Sequence, residues 1–77
     1  MFVVYGKENC PNCVKAKALL ESKGETFEYI DITVDTEARE HLMNSGFRSV
    51  PQVYIGNRHQ DVLVHVGGYT ELEKRLS

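Results

Sequence analysis

With 77 residues the chain has room for one domain, 1–77, and its 42% hydrophobic and 26% charged content is that of an ordinary globular protein with a modest core. No apolar run approaches the ~20 residues of a membrane helix, and Met1-Phe2-Val3-Val4-Tyr5-Gly6-Lys7 lacks a basic leader followed by an apolar stretch, so a cytoplasmic protein is expected. A net charge of −2 with both signs interleaved gives no footprint for nucleic acid or an anionic membrane, and no exposed apolar stripe argues against a monomer.

In chain order, Phe2-Val3-Val4-Tyr5 reads as a buried strand and Gly6 to Asn9 as a loop. Pro11 suits the first position of a helix, where its missing N–H costs nothing. Cys13, Ala16, Leu19 and Leu20 share one helical face, and Lys23-Gly24 ends the helix. Thr26 to Ile32 alternates apolar with polar over most of its length and reads as a second strand. Asp35 is the expected N-cap of a second helix with Ala38, His41, Leu42 and Ser45 on one face, ended by Gly46. Pro51 opens a third strand, Gln52 to Ile55. A turn is expected over Gly56 to Asp61, and a fourth strand over Val62 to Val66. Gly67-Gly68 breaks the chain, and Thr70 with Glu73 predicts a capping box for a last helix carrying Leu72 and Leu76. The order is β-α-β-α-β-β-α, an α/β chain whose first two strands should be parallel and whose last two should form an antiparallel hairpin.

The chemistry centres on Cys10-Pro11-Asn12-Cys13, which holds the only two cysteines of the chain. A strand, then C-x-x-C, then a helix brings two thiols across one helical turn, close enough to bridge. Cys10, at the helix start, meets unpaired N–H groups and the positive end of the dipole, which favour its thiolate. It is the expected nucleophile. Cys13, one turn in on the apolar face, is the expected resolving thiol, and Lys7 adds positive charge upstream. The reaction would be thiol–disulfide exchange through a mixed disulfide. C-x-x-C is also half of a zinc site, with His41, His59 and His65 as candidates for the other half. Those histidines lie far downstream, and each reads as a surface or partly packed residue, so no metal is expected.

Lys7, Cys10-Pro11-Asn12-Cys13, Ser49-Val50-Pro51-Gln52-Val53-Tyr54-Ile55 and Gly67-Gly68-Tyr69-Thr70 together resemble the dithiol glutaredoxins of the thioredoxin fold. The resemblance covers nearly the whole chain. It implies a thioredoxin-like four-stranded mixed sheet flanked by three helices, and a cis peptide bond before Pro51 that faces the cysteines. It also implies glutathione as reducing co-substrate, with disulfide-containing proteins, ribonucleotide reductase among them, as substrates. In the implied glutathione site, Lys7 holds a carboxylate, Cys10 bonds the sulfur, and Asn12, Ser49, Val50 and Pro51 flank the tripeptide. Gly68, Tyr69 and Thr70 receive the γ-glutamyl end. Asn12 stands where the family usually carries tyrosine, and Thr70 where aspartate is common. The span from Pro51 to Gly67 is longer than usual, which reads as an insertion tolerated in an exposed turn. Gly46-Phe47-Arg48 resembles instead the small redoxins that serve ribonucleotide reductase and are recycled by thioredoxin reductase. That partner, or a metal or iron–sulfur role for Cys10, is the alternative.

Overall fold

The computed structural model describes residues 1–57, 60 and 62–77. Its elements are β1 (Phe2–Gly6), α1 (Pro11–Ser22), β2 (Phe27–Asp31), α2 (Thr36–Asn44), β3 (Gln52–Asn57), β4 (Val62–Gly67) and α3 (Tyr69–Leu76). The expected order is met, as is the mixed four-stranded sheet, with spatial order β2-β1-β3-β4. β1 runs parallel to β2, and the pairs β1–β3 and β3–β4 are antiparallel. This is the thioredoxin-like arrangement. β3 reaches two residues further than the sequence pattern suggests, to Asn57. Of the expected turn, Arg58, His59 and Asp61 lie outside the described residues.

The unbroken apolar run of β1 follows from its central place, where both faces of the strand are covered. Phe2 and Val4 join Ala16 and Leu20 of α1, Val53 and Leu72 of α3 in one core layer. Val3 and Tyr5 point the other way, into a layer with Ile30, Ala38, Leu42 and Tyr54 under α2. The second layer continues into rings. Tyr5 and Tyr54 meet edge to face at 5.4 Å, and the exposed His41 lies against both. Ser45 ends α2 as its exposed C-cap, with its hydroxyl donating to the His41 carbonyl at 2.8 Å.

Local signals position the helices. Cys10 is the N-cap of α1, with Pro11 as its first residue. Asp35 caps α2 as expected, its Oδ1 accepting the Ala38 N–H at 3.0 Å. The capping box of α3 differs from expectation. Its N-cap is Gly68, and the Glu71 carboxylate accepts the Gly68 N–H at 2.7 Å. Thr70 is therefore the second helical residue, and Glu73 accepts instead from the Tyr69 hydroxyl at 3.1 Å. Acids three residues apart from a candidate cap occur in both registers. In the observed register the Glu71 side chain lies against Gly67 (φ 134°), where an added Cβ would overlap its Cγ.

Candidate active site

The site is built where the carboxyl end of β1, the start of α1 and the loop before β3 converge. Asn9 takes a left-handed conformation (φ 59°), which asparagine tolerates, and delivers Cys10 to the head of α1. Cys10 Sγ accepts the Cys13 backbone N–H at 3.3 Å. A sulfur thus occupies the capping position that an oxygen fills in most helices. The first turn of α1 contains no acidic residue. Cys10 Sγ also faces the Val50 carbonyl at 3.7 Å, and the Val50-Pro51 peptide bond is cis, as the resemblance implies.

Both thiols are free. Cys10 is 8% exposed and Cys13 0%, so the helix-start sulfur is the one a substrate reaches. Burial pushes the Cys13 thiol up to about 11, helped by the hydrogen bond and charge of Cys10 and opposed by the Lys7 backbone and the Tyr29 hydroxyl. At neutral pH Cys13 is held as S–H.

The loop carrying Ser49 and Val50 is braced from β3 and β4. The buried Gln52 donates through Nε2 to the Ser49 carbonyl at 3.0 Å and to the Ser49 hydroxyl at 3.3 Å. Its Oε1 pairs with His65 Nε2 at 2.8 Å, and the His65 ring stacks on Phe47 at 4.5 Å. His65 is the partly packed surface residue that the sequence suggested, but its pairing with Gln52 and the brace on Ser49 were not foreseen. A polar residue in an otherwise apolar strand was the available signal for Gln52. Ser49 and Val50 also line a cleft with Phe47, Arg39 and Arg48, and the two arginines add positive charge beside the loop.

The structure therefore brings together Cys10, Cys13, Val50, Pro51 and Gly68. Tyr69 and Thr70 follow directly as the first two residues of α3. Asn12 is exposed on the first turn of α1, and Lys7 is exposed just after β1. The Gly68 N–H, a proposed ligand donor, is already taken by Glu71. Among the described residues, no group of three or more His, Cys, Asp or Glu side chains is placed to hold a metal ion, and no helix is long and apolar enough to cross a membrane.

A family model described as Glutaredoxin matches residues 2–60. The chain belongs to the glutaredoxin family. Glutaredoxin 3 of Escherichia coli K12 is 40% identical over 70 residues, covering 90% of this chain and 77% of that protein. The solution structure of a glutaredoxin from Brucella melitensis is 39% identical with a TM-score of 0.71, covering 95% of this chain and 74% of the other. The glutaredoxin-like NrdH-redoxin of Escherichia coli, described as having a thioredoxin-like activity profile, is 28% identical. It matches with a TM-score of 0.75 over 95% of this chain and 91% of its own. As a glutaredoxin-family member the protein is a thiol–disulfide oxidoreductase of the glutaredoxin or NrdH type, the class that C-x-x-C at a helix start pointed to.

Proposed function

We propose that this glutaredoxin reduces protein disulfides or glutathione mixed disulfides with glutathione as reductant, Cys10 being the nucleophile and Cys13 the resolving thiol. The observation that carries the assignment is the asymmetry of the pair. Cys10 caps α1 and is the more exposed sulfur, whereas Cys13 is fully buried and protonated. The Cys10 thiolate attacks a substrate disulfide, forming a mixed disulfide and expelling one substrate thiolate, which takes a proton from water. Cys13 then loses its proton, attacks Cys10 Sγ and expels the second thiolate. Two glutathione molecules restore the dithiol and leave as glutathione disulfide.

The residues present suit the tripeptide. A peptide laid along Val50 would run from Cys10 towards Gly68, two points that the cis-Pro51 loop joins. Lys7 and the cleft guanidinium groups of Arg39 and Arg48 supply positive charge for carboxylates. Asn12, Ser49, Pro51, Tyr69 and Thr70 complete the assigned site. We read the chain as a one-domain, cytoplasmic monomer, with ribonucleotide reductase as a client.

A second reading, a redoxin recycled by thioredoxin reductase, is favoured by one observation. The Glu71 carboxylate sits on the Gly68 N–H, where the γ-glutamyl carboxylate of glutathione would have to bind. Coupled turnover separates the two readings. Reduction of the oxidised protein by glutathione with glutathione reductase is expected, and reduction by thioredoxin reductase alone would replace the first reading with the second. Cys10→Ser is expected to abolish exchange with every substrate, while Cys13→Ser retains turnover with glutathione mixed disulfides. Equal loss in both would mean an obligatory two-cysteine mechanism and no glutathione-only route.

A further inference from the structure

Tyr29 lies in β2, opposite Val4 of β1, with its ring half-buried against the α1 side of the sheet. The Lys17 ammonium stands over the ring, 4.4 Å from its centroid. The hydroxyl reaches past β1 and donates to the Lys7 carbonyl at 3.2 Å. It can do so because residue 6 is glycine. A Cβ on Gly6 would overlap the Tyr29 hydroxyl and lie 3.0 Å from Cys13 Sγ. The hydroxyl and the buried sulfur therefore share the space that a side chain at position 6 would fill.

From this juxtaposition we propose that Tyr29 is a switchable hydrogen-bond donor to Cys13, turning from the Lys7 carbonyl to the sulfur when the Cys13 thiolate forms. The proposal rests on the assignment of Cys13 as resolving thiol. The hydroxyl has one proton and two acceptors. Against a neutral thiol the carbonyl is the better acceptor, and against a thiolate the charge-assisted bond to sulfur wins. Burial, and then the charge of the Cys13 thiolate, push the Tyr29 phenol up to about 12, so at neutral pH the oxygen keeps the proton it can donate. The other charged or titratable groups that face this pair are Cys10 on the α1 N-cap, Lys17 on α1 and Asp31 on β2, with Lys7 lining the same cleft as Tyr29 and Lys17.

The step in question is the second half of exchange. Cys13 S–H gives its proton to water, which reaches the exposed Tyr29–Lys7 hydrogen bond. The thiolate attacks Cys10 Sγ, the Cys10–substrate S–S bond breaks, and the substrate sulfur leaves with the electron pair. In the reverse sense, an external thiolate attacks Cys10 of the oxidised protein and Cys13 leaves as thiolate, again facing Tyr29. Stabilising that thiolate favours both directions.

The test is stopped-flow reaction of the reduced protein with a symmetrical aromatic disulfide whose released thiolate absorbs visibly. Attack by Cys10 releases one equivalent and resolution by Cys13 the second. Tyr29→Phe keeps the ring and its Lys17 contact and removes only the oxygen. Loss of a hydrogen bond to a charged acceptor, partly exposed, is expected to slow the second release about three- to tenfold at pH 7. Its pH profile should move to higher pH, while the first release keeps its rate. A second release with unaltered rate and profile overturns the proposal, as does equal slowing of both phases, which would mark a general structural effect. In Cys13→Ser the second release should vanish. Its persistence at the native rate would overturn the dithiol assignment itself, and the proposal with it.

Discussion

The starts of α1 and α3 lie on either side of the same loop, and the chain treats them differently. Both present unpaired N–H groups, and both follow directly on a strand or its loop. At α3 the protein satisfies the donor with its own carboxylate, Glu71 on Gly68. At α2 it does the same with Asp35. At α1 the capping atom is the Cys10 sulfur, and no acidic residue stands in the first turn. A helix N-terminus stabilises whatever negative charge is placed there. A carboxylate is permanently charged at neutral pH, whereas a thiolate forms as part of a reaction. The helix kept free of carboxylates is the one whose favourable field is left to the reacting atom. A helix start closed by its own acid contributes stability, and one closed by a thiol is available for chemistry.

Both helices are anchored by the same core layer, so that their starts are what differ. Leu20 of α1 and Leu72 of α3 are both fully buried there. Leu20→Ala is expected to cost about 2–5 kcal/mol, read from the denaturant midpoint. Val14→Ala, on the exposed side of the same helix, should stay within about 0.5 kcal/mol. A small loss at Leu20 would mean that α1 is not held as described.

The difference between the two starts is sharpened by making them alike. Asn12→Asp places a carboxylate in the exposed first turn of α1. With a helix-end charge effect of about 0.3–1 kcal/mol, alkylation of Cys10 at pH 7 should slow about two- to fivefold. An unchanged rate would show that the field at α1 does not govern the sulfur. The converse change is Glu71→Gln, which keeps an acceptor for the Gly68 N–H but removes the charge. The KM for glutathione should fall by up to about threefold, with turnover of other disulfides unchanged. If KM does not move, the start of α3 is not where a glutathione carboxylate binds, and the thioredoxin reductase reading gains.

Much of this was legible from the chain. The β1 run, the Cys10-Pro11 start of α1 and the Asp35 cap are local features, and each appears where the pattern put it. The start of α3 was not legible in the same way, because Gly68 with Glu71 and Thr70 with Glu73 offer equivalent boxes. The observed box sets the Glu71 side chain against Gly67, where a Cβ would not fit, a contact that only the folded chain shows. The site shows the same division. Cys10 and Cys13 are recognisable from their spacing alone. The approach of Tyr29 to Cys13 joins residues from different strands and helices. The brace from Gln52 to Ser49 and His65 depends on strand register.

By itself the sequence determined the elements, their order and the reacting pair. Apolar periodicity, caps and a three-residue spacing act within one or two turns of chain and need no distant partner. Which carboxylate closes α3 and which hydroxyl faces Cys13 were decided only in the tertiary structure. Those properties depend on what the sheet brings next to each atom: Val50 beside Cys10, Gly67 beside Glu71, and Tyr29 across the gap left by Gly6. Burial and hydrogen bonding tune a thiol through neighbours remote in sequence, so their effect exists only once the chain is folded.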